Sequence, residues 1–600
     1  MYILHLLGKD FIMITLEHYV SLYLSLDKRI HRKLEVSLHG ISEVLFCTTR
    51  NCKLTIQKWE RESWVKWSPG RGRGNKSTLT FLKNPVNLLM DESRRLVKKG
   101  KLQAAQNLIS EYSKEFPGLE EDFADWIETL FGYRAESENR DVLRLKYGKQ
   151  PFSPLDPTLA TLRSECHILK HVCDTLIFYN EESNHFEPRL AFHWEHNEAG
   201  DQWIFYIRKG IKFHDGSRLT SRDIQHTFER FMLSEGNPYR WMLQDLEEAV
   251  ILGEHSIKLL LKKPNHLLLH LLSDEHLSIV RKSDSKDIYL DKLVGTGPFR
   301  LVRNDGSMLI MDANESYFRE RPFLDSVEFW NVSEDREDRT PVKTEMEFGY
   351  YRNKEKKDDN RKRVNRIEKN VQFLSLNGRK EGPLKDPMLR RAIQAIADPS
   401  LLVAELGEFR QQSAAFFLRD EENSREVDIT DLLLRSSYNG EELLLYTFQD
   451  RDHVEDTTWL KQRCMAYGVS IKTVYLPAEE LLRSDTMAEA DIIHDSATVT
   501  EQEELSFLQL ILAENSPIWH HLSDELRERL LAEIDLLKSL ESHDERLKRL
   551  FIIEEKLLET CQLLPLYKNL SELESEEGIQ QALINSQGWI DFYRIWFKRN

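Results

Sequence analysis

Residues 42–81 read SEVLFCTTRNCKLTIQKWERESWVKWSPGRGRGNKSTLTF, and the spacing of their apolar residues switches from helical to alternating partway along. Leu38, Ile41, Val44 and Leu45 recur at helical spacing and predict a short helix leading into this stretch. Thr48 or Thr49 then supplies an N-cap hydroxyl for a second helix. On that helix Cys52, Ile56 and Trp59 fall at i, i+4 and i+7 and face inward, which leaves Arg50, Lys53 and Gln57 largely on the other side. Two short helices joined by a tight turn, the second polar-faced, follow helix-turn-helix logic. Trp64 to Trp67 reads as a strand, SPGRGRGNK (68–76) as a turn and STLTFL (77–82) as a returning strand, in which Leu79 and Phe81 alternate with Thr78 and Thr80. The pair forms a β-hairpin wing whose tip carries Arg71, Arg73, Asn75 and Lys76. Gly70, Gly72 and Gly74 let its backbone approach a phosphate or a minor-groove wall closely. GRGRGN is neither a phosphate loop nor a dinucleotide fingerprint, because it lacks the GK[ST] ending and the strand-to-helix context.

The surroundings fit a basic module. Residues 15–26 (TLEHYVSLYLSL) are helical in pattern, and 85–116 read as two more helices broken at Gly100. Pro117–Gly118 and the acidic stretch to about 140 make a linker, unless DFADWIETLFGY (122–133) forms a bridging helix. The whole chain of 600 residues carries a net charge of −17, which argues against nucleic acid only if the charge is evenly spread. It is not. Residues 1–118 hold 20 Lys/Arg against 11 Asp/Glu, a net of +9, leaving −26 for residues 119–600. No run of apolar residues approaches the ~18–20 needed to span a bilayer. The opening MYILHLLGKDFIMITLEHY lacks a basic cluster and a small-residue cleavage site, so no signal peptide is expected, and Met13 is as good a start as Met1. Six cysteines without a CxxC pair read as reduced, packed thiols, and the expected compartment is the cytoplasm.

From about residue 141 the texture becomes short strands, turns and helices. QWIFYIRKG alternates as a strand, Thr220 and Asp223 form capping-box chemistry for a helix over 221–233, and two amphipathic helices are expected at about 524–541 and 543–561 before a final aromatic strand, WIDFYRIWF. LDPTLA, CDTLIFYN, PRLAFHWE, FYIRKGIKFHDG, LTSRDIQHTFERF, GTGPFRLV and PMLRRAIQAIAD occur in the order found in bacterial extracellular solute-binding proteins of family 5, the oligopeptide/nickel-binding type, and the body resembles that family. Upstream, residues 42–81 resemble the DNA-binding domain of the SgrR-type transcriptional regulators, which share this two-part architecture.

The resemblance implies an α/β multidomain protein: an N-terminal winged helix-turn-helix over 13–116, a linker over 117–140, and a two-lobed, periplasmic-binding-protein-like (type II) domain over 141–600. Lobe I would take about 141–370 and 566–600, and lobe II about 371–565. The implied function is a ligand-responsive transcriptional regulator, with the substrate-binding component of an ABC-type importer as the alternative. Thr49, Arg50, Asn51, Lys53 and Gln57 are the candidates for the major groove, where Arg and Asn can read base edges, and Arg71, Arg73, Asn75 and Lys76 for phosphate or the minor groove. Tyr179, Asn180, Trp194, Thr296 and Trp459 are the candidates for a small ligand: a peptide, sugar or sugar phosphate. Double-stranded DNA is the first expected partner, with RNA polymerase and a second copy of the chain as further candidates. The charged stretch YYRNKEKKDDNRKRVNRIEK (350–369) reads as a solvated loop. His193-x-x-His196 lacks the Glu of a metalloprotease helix and reads as a turn, and His520–His521 carries no further signal. No nucleophile elbow, triad or phosphate loop marks catalysis, so neither an enzyme nor a cofactor or metal is expected.

Overall fold

The computed structural model describes residues 11–70, 76–136, 140–147, 155–180, 183–282, 293–332, 362–407, 410–413, 415–416, 427–500, 502–575, 579–581 and 590–598. The chain divides into two compact units, Met1–Phe131 and Gly132–Asn600.

In the first unit helix α1 (Phe11–Ser25) is followed by strand β1 (Lys33–Val36), α2 (Leu38–Val44), α3 (Thr49–Arg61), β2 (Val65–Ser68) and β3 (Ser77–Phe81). The three strands form an antiparallel sheet in the order β1-β3-β2. Capping sets the helix starts. Ser37 Oγ accepts from Gly40 N at 3.0 Å ahead of α2, and Thr48 Oγ1 accepts from Asn51 N at 3.2 Å ahead of α3, so Thr48 rather than Thr49 is the cap. Tyr19 of α1 holds the unit together. Its buried ring meets Trp59, Trp64 and Phe81 edge-on at 5.3–5.5 Å, and its hydroxyl donates to Lys83 O at 2.8 Å. Leu79 and Phe81, the inward residues of the expected returning strand, are fully buried beneath it. Helices α4 (Pro85–Lys98) and α5 (Leu102–Tyr112) turn at Gly100, whose φ of +70° suits glycine. Helix α6 (Leu119–Glu128) starts after Gly118 at φ +90° and falls within the first unit.

The second unit opens with β4 (Gly132–Glu136), β5 (Arg140–Tyr147), α7 (Arg163–Val172), β6 (Ile177–Asn180), β7 (His185–Pro188), β8 (Ala191–His196) and β9 (Gln202–Ile207). Helix α8 (Ser221–Leu233), with the expected Thr220/Asp223 capping box, leads to β10 (Leu246–Gly253), β11 (Ser256–Leu261), β12 (Phe299–Asn304), β13 (Met308–Ala313) and β14 (Ser326–Asn331). Further strands are β15 (Lys362–Leu376), β16 (Arg410–Gln412), β17 (Leu443–Thr447), β18 (Ile471–Tyr475), β19 (Ile492–Thr498) and β20 (Leu563–Ser575), and a short pair, Ile579–Gln580 with Trp596–Phe597, follows. They form sheets ordered β12-β13-β14-β5-β4, β10-β11-β9-β8 and β16-β20-β15-β19-β17-β18. The parallel pairs β14–β5, β17–β18 and β17–β19 need crossovers, which the intervening helices supply. One core joins Trp203, Phe205 and Phe228 to Leu508, Ile534 and Ile553, so the helices Glu503–Leu512, Asp524–Ser539 and His543–Glu559 pack on the same apolar mass as the β8–β11 sheet.

Three local expectations change. His193 and His196 lie on strand β8, not in a turn, because β8 pairs with β9 along its length; His193 stacks on Tyr206, and the His196 ring lies tilted against Trp203 at 4.4 Å. The charged stretch 350–369 is in part strand, since β15 begins at Lys362 and pairs with β20 as far as Ser575. Of the tail WIDFYRIWF, the described residues 590–597 turn about Asp591, which accepts from Tyr593 N at 3.0 Å, and Trp596–Phe597 form a short strand. The expected lobe limits at 370 and 566 fall inside β15 and β20.

Candidate functional site

Helix α3 divides cleanly into two faces. Cys52, Ile56 and Trp59 are buried as their spacing requires, and Trp59 Nε1 donates to Thr15 O at 3.2 Å. Burial pushes the Cys52 thiol up to about 11, so it is a packed, inert thiol. Thr49, Arg50, Asn51, Lys53 and Gln57 are all exposed; at about 100° per residue Arg50 and Gln57 lie opposite the buried stripe, Asn51 and Lys53 on its flanks, and Thr49 in the first turn on the side of the stripe. Lys58 bends back to Thr15 Oγ1 at 2.9 Å, and Glu60 accepts from Trp67 N at 2.9 Å, which ties the end of α3 to β2. The helix thus presents cations held at a fixed angle by an aromatic core, an arrangement able to meet a polyanion in register. Leu54 also lies on this exposed side, 56% accessible; one apolar residue among polar ones breaks no period, so spacing alone does not mark it.

The hairpin β2–β3 pairs Val65 with Phe81 and Ser68 with Thr78. Beyond Gly70, Arg71, Arg73 and Asn75 lie outside the described residues. Lys76 is described: it is exposed and forms an ion pair with Glu35 of β1 at 3.0 Å. A pair so open to solvent is weak and leaves the ammonium free to exchange partners.

The five ligand candidates are spread over the second unit. Tyr179 and Asn180 sit on the β6–β7 hairpin. Tyr179 is buried against Phe186 and His270 at 5.2 and 5.7 Å, and Asn180 Nδ2 donates to Glu187 at 2.6 Å. Trp194, on β8, is half-buried against the large core. Thr296 is buried and gives its hydroxyl to Asp174 Oδ2 at 2.9 Å. Asp174 also takes Arg189 Nε at 2.5 Å and the Tyr317 hydroxyl at 3.2 Å. Trp459 lies in the helix Arg451–Ala466, under the six-stranded sheet, where its indole N–H donates to Glu405 at 2.7 Å. It lines a small pocket with Leu374, Asp456, Thr457 and His494. The Tyr179 hydroxyl also reaches Asn184 Oδ1 at 3.4 Å, so four of the five candidates already have internal hydrogen-bond partners.

Around that pocket lies a buried polar network that periodicity did not announce. Arg410, from β16, is paired with Asp456 and Glu455, and Tyr567 of β20 donates to the second Asp456 oxygen. Burial keeps His453 and His494 neutral, each near 4, and the two rings lie 4.5 Å apart. Nearby on β19, burial raises the Asp495 carboxyl to about 6 although Ser496 N donates to it. Among the described residues no group of three or more His, Cys, Asp or Glu is arranged to hold a metal ion, and no helix is long and apolar enough to cross a membrane.

Residues 15–123 match the family described as the sugar transport-related sRNA regulator N-terminal domain, and residues 185–421 match the middle region of the bacterial extracellular solute-binding proteins of family 5. An uncharacterized protein, YhjP, of Bacillus subtilis (strain 168) is 35% identical over 98% of this chain and 100% of its own length. The HTH-type transcriptional regulator SgrR of Yersinia pestis (strain Pestoides F) is 25% identical over 94% of this chain and 95% of its own. Among solved structures, the periplasmic binding protein DppA of Helicobacter pylori, in complex with the peptide STSA, superimposes with a TM-score of 0.63 over 76% of this chain and 98% of that one, at 18% identity. The second unit therefore has the two-lobed α/β fold of these binding proteins.

Proposed function

We propose that this chain, which belongs to the family of SgrR-type regulators, is a transcription factor that binds double-stranded DNA through its first unit and senses a small solute with its second. The observation that carries the reading is α3: a basic, exposed face opposite a buried stripe, on a helix that follows α2 after a tight turn and precedes a strand hairpin. On this reading residues 13–116 are a winged helix-turn-helix. Thr49, Arg50, Asn51, Lys53 and Gln57 enter the major groove, while Arg71, Arg73, Asn75 and Lys76 hold the flanking backbone. The body, residues 141–600, is a clamp for a peptide, sugar or sugar phosphate, and its ligand-favoured state differs in DNA affinity or polymerase contact. It works in the cytoplasm and catalyses nothing. A substrate receptor for an importer would share the second fold, but would have no use for a cationic helix of this design.

Genome-wide DNA capture by the full-length protein tests the proposal. Enrichment of discrete sites, weakened by Arg71→Ala/Arg73→Ala with a shallower salt dependence, is the expected result. Unchanged binding of that variant at two salt concentrations removes the wing from the account, and recovery of the protein in the exported fraction of cells removes the regulator.

A further inference from the structure

Leu54 has no structural reason to be where it is. At about 100° per residue it lies roughly 160° around α3 from the centre of the Cys52, Ile56 and Trp59 stripe, which is as far from the core as the helix allows. It is 56% exposed, and Arg50, Asn51, Gln57, Lys58 and Arg61 fall within roughly 60° of it on the same turns. A single surface leucine is ordinary. One set at the crest of the helix face proposed to enter DNA, and ringed by cations and amides, meets whatever occupies the groove floor. Among the described residues of the first unit, the other exposed large apolar side chains, Ile30 and Phe46, lie off this helix. The base edges in the major groove offer one apolar group, the C5-methyl of thymine.

Resting on the DNA-binding reading above, we infer that Leu54 is a specificity residue that packs on a thymine methyl in the major groove, while Arg50, Asn51 and Gln57 take the polar base edges beside it. The contact selects thymine at one position of each bound site without a hydrogen bond.

The test uses full-length protein and a duplex selected by it from a random pool. Each thymine of that site is replaced singly by deoxyuridine, which removes the methyl and keeps every donor and acceptor. The wild-type protein is expected to lose about fourfold in affinity at one thymine, the worth of one buried methyl. Leu54→Ala should bind the parent site less tightly and show no difference between thymine and uracil at that position. Its thermal midpoint should match the wild type, because the side chain is exposed. If the protein selects a site, but no uracil substitution distinguishes wild type from Leu54→Ala, the inference is wrong and the DNA-binding reading stands. If no duplex is selected at all, both fall.

Discussion

Arg410→Met tests how the six-stranded sheet is held. The guanidinium is fully buried; Nε donates to Asp456 Oδ1 at 2.9 Å and Nη2 to Glu455 Oε2 at 2.9 Å, so one side chain ties β16 to the helix Arg451–Ala466. Removing one member of a buried charge pair costs roughly 3–5 kcal/mol, because the other charge stays desolvated. Burial already holds the Asp456 carboxyl above its ordinary range, against the pull of Arg410 and the Tyr567 hydroxyl. Without Arg410 it rises further, so the folded variant keeps a proton that the unfolded chain releases. Stability then falls as pH rises through that interval, and the deficit is larger at about pH 8 than at about pH 5. Amide hydrogen exchange of β15, β19 and β20 in the full chain reads the effect locally, and exchange should be roughly 10²–10⁴-fold faster where opening of the sheet controls it. Arg410→Met/Asp456→Leu, which removes both charges, should recover most of the loss. Exchange within threefold of wild type at both pH values, or a double variant no better than the single one, would refute the reasoning.

Other outcomes follow from the same structure. Thr48→Ala removes the α3 cap and should cost about 1 kcal/mol in the first unit, read as a lower denaturant midpoint for that unit's exchange-protected amides. Thr296→Val strips one of three hydrogen bonds from buried Asp174 and should cost about 1–3 kcal/mol by urea unfolding; a loss below a few tenths would mean the hydroxyl faces a ligand instead. His453 and His494 are depressed to about 4 when folded, so the stability they confer is complete above their unfolded pKa of about 6.5 and is lost as pH falls toward 4. Thermal midpoints should therefore drop across that window, and His453→Gln/His494→Gln should flatten the slope. Arg50→Ala/Lys53→Ala should lower affinity for the selected site and narrow its margin over random duplex, which titration of both duplexes at one salt concentration checks.

What the sequence disclosed, and what it hid, divides by the range of the interaction. The first unit was legible because its determinants are local: Thr48 caps a helix three residues on, Cys52, Ile56 and Trp59 share a face by spacing, and Leu79 and Phe81 alternate on one strand. The same holds for Thr220 and Asp223. The polar interior of the second unit was not legible, because its partners lie far apart in the chain. Thr296 meets Asp174 across 122 positions, Arg410 meets Asp456 across 46, and Tyr567 meets Asp456 across 111. No period marks such pairs, and a lone threonine or tryptophan near an expected cleft looks the same whether it faces a ligand or a buried carboxylate. Thr296 and Trp459 are both ligand candidates by sequence, and in the fold the Thr296 hydroxyl is bonded to Asp174 and the Trp459 indole N–H to Glu405. In this clamp a ligand contact is to be sought among polar groups left exposed on the sheets and helices once such internal bonds are satisfied, and on the DNA side among apolar groups left exposed once the core is satisfied. Leu54 meets the second condition; the first still separates a sensor that holds its solute from a clamp that has kept only its scaffold. Thermal shift of the full chain with peptides, sugars and sugar phosphates distinguishes them, since a solute at a hundred times its dissociation constant should stabilise the clamp by about 2.7 kcal/mol and an empty scaffold by nothing.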